Sequence, residues 1–252
     1  MFISNYHTHT NRCRHANGTD EDFVACAIKG GFNILGFADH SPWPFTDGYI
    51  SPKRMRIDEL DNYVSSIRKL ENKYVDIIDI KVGLECEYYI DYTNWLKEEK
   101  ERLQLDYIIL GNHFPYREDK QLDFSKSTSK EMLKLYFKSS IEAMESGLYD
   151  YFAHPNLFMR GYRKVDDYSI GVMSDLACSA RDLNILFEYN TTVRYDEVLW
   201  EKVAEHSPKV IIGLDIHDCQ DLATVEQYDL ALSLLKKAGI TPINKMLLST
   251  SP

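Results

Sequence analysis

Seven short apolar runs punctuate the chain, and nearly every one gives way at its end to a side chain able to bind a metal ion. The runs cover residues 2–6, 34–38, 77–84, 107–110, 151–153, 185–189 and 210–214. Short and continuously apolar, they look like strands buried on both faces of a parallel sheet. Segments of helical periodicity lie between them. In 129–147, Leu133, Tyr136, Phe137, Ile141 and Met144 fall on one face and Gly147 is a stop signal. Ile57, Leu60, Tyr63, Val64, Ile67 and Leu70 do the same in 56–73, and Tyr228, Leu232 and Leu235 in 225–237 before Gly239. The alternation predicts an α/β fold around a parallel sheet. By itself it fits an open sheet as well as a closed barrel.

The polar ends say more. The runs finish in His7 and His9, Asp39 and His40, Glu85, His113, His154, and Asp215 and His217. In a parallel barrel the carboxyl ends of all strands meet on one rim, where the active site forms. Topology alone would therefore bring six of the eight histidines together, with His15 in reach from the loop after the first strand. His7 and His9 are two apart, so an extended backbone turns both to one face, and Asp215 and His217 repeat that spacing. Nitrogen and carboxylate donors without thiolate suit zinc, manganese or iron. A lone histidine after a strand is usually a loop or core residue; six at strand ends form a pattern. His206, before Pro208, stands outside it and is read as structural.

Composition narrows the function classes. At 252 residues and 29.3 kDa the chain has the size of one α/β barrel, and a single domain over 1–252 is expected. Hydrophobic residues at 44% and charged residues at 27% exclude a disordered or fibrous chain. With no apolar run near the roughly 20 residues that span a bilayer, and no leader pattern at the N-terminus, a cytoplasmic protein without membrane partners is expected. The 29 basic against 39 acidic residues give a net charge of -10, which argues against a nucleic-acid partner. A small anionic substrate remains compatible, because bound cations can supply the missing positive charge. Five cysteines without a C-x-x-C pair point to reduced thiols. Cys13, Cys86 and Cys219, near candidate ligands, are read as packing residues. Oligomeric state is open at this level.

With these residues in place, the sequence resembles the polymerase and histidinol phosphatase (PHP) superfamily, and within it the stand-alone histidinol-phosphate phosphatases. The likeness runs from Tyr6 to about Leu222. It rests on Tyr6-His7-Thr8-His9-Thr10, Ala38-Asp39-His40-Ser41, Val82-Gly83-Leu84-Glu85, Gly111-Asn112-His113-Phe114, Phe152-Ala153-His154-Pro155, Phe187-Glu188-Tyr189-Asn190-Thr191 and Gly213-Leu214-Asp215-Ile216-His217. The resemblance implies a distorted TIM-like (β/α)7 barrel with its active site at the carboxyl ends of the strands. It also implies three divalent ions (zinc, manganese or iron). His7, His9, Glu85 and Asp215 would hold the first, Glu85 would bridge to His113 and His154 around the second, and His15, His40 and His217 would hold the third. Glu87 is the rival to Glu85, and Asp39 is read as orienting a ligand. Leu214, Ile216, Asn156 and Asn112 depart from residues common in relatives and are expected to border the pocket.

The implied activity is hydrolysis of L-histidinol phosphate to histidinol and phosphate, a step of histidine biosynthesis. Paired metal ions can bring the pKa of a shared water to about 7, giving hydroxide to attack phosphorus. Arginine forks suit the phosphoryl oxygens. Arg160 and Arg194 are the catalytic and substrate-binding candidates, with Arg117 as a third substrate contact. The alternatives are a PHP phosphoesterase acting on a nucleotide, sugar phosphate or phosphotyrosine, an amidohydrolase-like barrel, and a metal-stabilised binding domain without turnover.

Overall fold

The computed structural model describes residues 2–247; Met1 and 248–252 of the expected 1–252 domain lie outside them. Seven strands form one wholly parallel sheet in sequence order: β1 (Ser4–Asn5), β2 (Ile34–His40), β3 (Asp79–Cys86), β4 (Tyr107–Leu110), β5 (Tyr151–Phe152), β6 (Leu186–Asn190) and β7 (Val210–Gly213). The helices among the described residues are α1 (Asp20–Gly30), α2 (Leu60–Lys73), α3 (Thr93–Arg102), α4 (Lys130–Glu145), α5 (Met159–Tyr162), α6 (Asp167–Asp182), α7 (Glu197–His206) and α8 (Glu226–Lys237). None is long and apolar enough to cross a membrane.

Local chemistry sets the helix ends. Thr19 and Asp22 form a capping box at the start of α1, and Gly31, at φ +79°, stops it in the left-handed conformation that glycine accepts freely. Ser129 caps α4 by accepting from the Met132 amide. The periodic faces predicted over 56–73, 129–147 and 225–237 become α2, α4 and α8, each trimmed by one to a few residues. At the start of the first, Ile57–Glu59 instead forms a turn of 3-10 helix.

Order and closure both make this a barrel. Beyond β1 and β7 the chain bridges Thr8 to Ile216: His9 N–H donates to the Ile216 carbonyl at 2.8 Å, and Ile216 N–H to the His7 carbonyl at 3.1 Å. At the opposite end the segment after α8 slips into the seam. Ile243 pairs with Ile211, and the Asn244 carbonyl accepts from Ser4 Oγ at 2.6 Å. The barrel interior is packed with Tyr6, Ile34, Tyr107, Ile109, Tyr151 and Met246, while a larger apolar layer joins strands to helices outside. The distorted seven-stranded barrel is as anticipated. The first strand is shorter than the predicted 2–6, because the chain leaves the ladder after Asn5 to deliver its histidines.

Candidate metal centre

Glu85, near the end of β3, is the hub. It is almost wholly buried, and five imidazoles converge on its two oxygens. His154 Nε2 lies 2.9 Å, His7 Nε2 3.5 Å and His113 Nε2 3.6 Å from Oε1; His40 Nδ1 lies 2.8 Å and His9 Nε2 3.5 Å from Oε2. Asp215 Oδ1 comes within 3.5 Å of His7 Nε2 and 3.3 Å of His9 Nε2. His15 stacks on His217 with ring centroids 4.7 Å apart, and His217 on His9 at 4.2 Å. Every side chain of the expected ligand set therefore enters one cluster.

Backbone strain helps to build it. His154 and Asp215 take φ of +33° and +51°, a region that side-chain-bearing residues enter at a cost of about 1–2 kcal/mol. The extended spacing expected for Asp215 and His217 is thus corrected: β7 ends at Gly213, and a left-handed turn aims the aspartate. Gly111 lies so close to the hub that a Cβ there would sit 2.3 Å from Glu85 Oε1.

A second layer sets the proton of four of the seven rings. His7 Nδ1 donates to Glu188 Oε1 at 2.8 Å, and His113 Nδ1 to Glu87 Oε1 at 2.8 Å. The Nδ1 atoms of His15 and His217 meet the carbonyls of Cys13 and Asp215 at 2.6 and 3.0 Å. A carbonyl can only accept, so Nδ1 carries the hydrogen and Nε2 keeps its lone pair, the tautomer that a metal requires. Asp39 accepts from the Thr10 amide and lies 3.7 Å from His9 Nδ1, beyond hydrogen-bond reach. Glu87 holds His113 rather than competing with Glu85.

Electrostatics follow from this crowding. Burial opposes protonation of His7, but Glu188, Asp215 and Glu85 outweigh it and raise its pKa well above 6.5. Burial likewise opposes protonation of His9, but the nearby Asp215 and Asp39 carboxylates nevertheless lift it to about 9. Burial keeps His40 neutral, and burial with the nearby His9 brings His217 down to about 4. Glu85 and Asp215, although buried, are held well below the usual carboxylate range by the surrounding histidines. Ionised carboxylates thus lie at the centre of the histidine cluster.

The donor set fits metal ions on an independent observation. Among the described residues, His7 Nε2, both nitrogens of His9, His154 Nδ1 and His217 Nε2 are buried without a hydrogen-bond partner. Buried polar atoms are nearly always paired, and so many orphans in one cluster are explained by ligation. His7, His9 and Glu85, or His9, His40 and His217, each present ligand atoms within 4.8 Å of one another.

A cavity of about 480 Å³ opens onto the cluster, lined in part by His15, His40, Glu85, His113, Asp215 and His217. The PHP domain family model matches residues 5–192. The chain belongs to the PHP domain family. Two curated PHP-type relatives are probable histidinol-phosphatases. The one from Deinococcus radiodurans is 27% identical over 60% of this chain and 59% of its own length; the one from Schizosaccharomyces pombe is 27% identical over 94% and 87%. The chain thus aligns with less than two thirds of the Deinococcus relative. The fold matches histidinol phosphate phosphatase from Lactococcus lactis, solved with zinc, L-histidinol and phosphate, at a TM-score of 0.75 and 18% identity over 96% and 95% of the two chains.

The remaining side chains singled out in this PHP sequence fall in different places. Arg160 lines the cavity, held by Thr192 Oγ1 at 2.7 Å. Arg194 does not line it; its carbonyl accepts from Asn156 Nδ2. Arg117 lines a neighbouring aromatic groove, clamped by Asp47 and Asp119 over Phe45 and Tyr49. Leu214, Ile216, Asn112 and Asn156 do not line the cavity either. The first two pack in the apolar layer, and Asn112 turns to the hydroxyls of Ser139 and Ser140. His206 bonds Ser174 far from the cluster, and Cys13, Cys86 and Cys219 are buried. Sequence reasoning missed the roles of Glu188, Lys53, Arg54 and Lys126, the last three lining the cavity. A glutamate in the middle of an apolar strand run was the available signal for Glu188.

Proposed function

We propose that this PHP protein is a metal-dependent phosphomonoesterase that hydrolyses L-histidinol phosphate to histidinol and phosphate. The observation that carries the reading is the cluster of orphaned, buried histidine nitrogens around Glu85 and Asp215, opening onto a cavity that Lys53 and Arg160 also line. The substrate assignment draws on the histidinol-phosphatase names of the relatives and on the zinc, L-histidinol and phosphate of the Lactococcus structure.

Three divalent ions fit the donor set. His7, His9, Glu85 and Asp215 would hold one; Glu85, shared, with His113 and His154 a second; His15, His40 and His217 a third. Such ions activate water at neutral pH and neutralise phosphoryl oxygens. The chain's own part is positioning and charge. Glu188, Glu87 and the Cys13 and Asp215 carbonyls keep ring protons on the outer nitrogens, so the inner nitrogens stay free to ligate. Arg160 offers its planar fork to the phosphoryl group and Lys53 adds positive charge that a phosphate dianion needs, whereas Lys126 is already paired with Asp123 at 3.0 Å.

The test is phosphate release from a panel of histidinol phosphate, mononucleotides, sugar phosphates and an aryl phosphate, with metal content measured on the same sample. Selectivity of orders of magnitude for histidinol phosphate is the expected result. Turnover confined to other esters would remove the substrate assignment, and bound metal without turnover would remove the enzymatic one.

A further inference from the structure

Arg54 is the one buried arginine or lysine among the described residues. It lies on the segment between β2 and α2, and its guanidinium is shared by two carboxylates. Nη2 meets Glu87 Oε1 at 2.8 Å, and Nε meets Glu118 Oε2 at 3.2 Å. Glu87 Oε1 is also the atom that accepts from His113 Nδ1, at 2.8 Å. The other Glu87 oxygen accepts from the amides of His113 and Phe114 at 2.7 and 3.2 Å. One oxygen is therefore gripped from opposite sides by a guanidinium and by an imidazole of the metal cluster.

We propose that Arg54 is a positioning residue of the metal centre: by fixing Glu87 Oε1 it fixes the ring of His113, and so the ion that His113 helps to hold. The inference rests on the metal reading given above. Burying a guanidinium is costly unless its geometry is well matched, and a planar fork suits one group that must touch two carboxylates at fixed angles. Two amides restrain one Glu87 oxygen; in the described contacts only His113 and Arg54 restrain the other. Without Arg54 the carboxylate is free to swing about the amide-bound oxygen, and the ring follows it. The competing role is a tether, with Arg54 merely tying its segment to Glu118.

The two roles separate in zinc affinity, measured by competition with a chromophoric chelator on the full chain. Arg54→Lys puts a point charge in place of the fork. It is expected to weaken one zinc per chain by about 10–100-fold, the range typical of lost outer partners, and to lower kcat more than it raises KM. Glu118→Ala removes the tether alone and is expected to bind zinc as the parent does. Glu87→Gln, isosteric and independent of Arg54 folding effects, must reproduce the selective weakening. Parent-like zinc affinity in Arg54→Lys and Glu87→Gln would overturn the proposal, as would equal weakening in Glu118→Ala. A parent chain that binds no zinc would overturn the metal reading first, and this inference with it.

Discussion

Glu85 has two oxygens and five histidine neighbours, all gathered within 3.6 Å. No arrangement of hydrogen bonds satisfies so many rings with one carboxylate, which makes Glu85 the residue whose loss should matter most. Glu85→Ala, and separately His9→Ala, are expected to abolish both metal retention and phosphate release. Full activity in metal-depleted protein would contradict this. The outer layer is subtler. Glu188 accepts from His7 Nδ1, Tyr151 Oη, the His154 amide and Asn190 Nδ2. It is packed so closely that a Cβ on Gly213 would sit 1.7 Å from its Oε1. Glu188→Gln presents an amide nitrogen where an acceptor is needed, so zinc affinity or kcat should fall about 10–100-fold with little change in KM; an unchanged titration would deny Glu188 that role. The inner cluster was legible because a strand end in a parallel barrel is a place in space as well as in sequence. Glu188 and Glu87 acquire their roles only when separate strands and loops are brought together, which spacing along one chain does not encode.

Among elements, the segment between β2 and α2 shows what periodicity leaves out. The helical face of 56–73 was visible, yet nothing in its pattern tells that the preceding loop reaches across to Glu118, on the 3-10 turn Glu118–Lys120 after β4. That cross-link is Arg54 with Ser51. Burial works to raise the Glu118 pKa, but Arg54 and the Ser51 hydroxyl overcome it and hold the carboxyl below its ordinary 4.5. A depressed acid binds fewer protons in the folded than in the unfolded state. Its contribution is therefore fully present above about pH 4.5 and is lost as pH falls through the lower, folded value. In ion-stripped protein the urea midpoint should fall between pH 5.5 and 3.5, and Glu118→Gln should shrink that fall. Identical slopes in the two proteins would mean that the cross-link carries no ionic stabilisation. The short strands have a similar lesson. β5 is only Tyr151–Phe152 because the chain turns at once to place His154, so an apolar run can end in function before it ends in pattern.

For the molecule as a whole, the seven apolar runs and the length pointed to a seven-stranded α/β domain of barrel size, and the family motifs to closure of the barrel. How the barrel is sealed was not legible. A sheet of seven strands in sequence order leaves a seam between β1 and β7, and parallel strands cannot be stapled there by a hairpin. The structure uses two devices: the Thr8–Ile216 bridge on the side of the metal cluster, and the segment after α8 on the other. Ile240, Ile243 and Met246 of that segment are spaced as on one helix face, but Pro242 falls among them and no helix forms, so the pattern does not mark them in advance as the seal of the barrel. Yet Met246 is 4% exposed and packs with Tyr6, Ile34 and Tyr107 inside the barrel, while its neighbour Leu247 is 88% exposed. Met246→Ala removes side-chain volume from a closed interior, where such truncations cost about 2–5 kcal/mol; Leu247→Ala removes a similar volume from solvent and should stay within about 0.5 kcal/mol of the parent. Because His7 and His9 follow β1 directly, loosening the seam should also weaken zinc retention in the first variant and leave it intact in the second. Urea unfolding and zinc titration of the pair decide the matter: equal stability of the two would show that the segment lies on the barrel without sealing it.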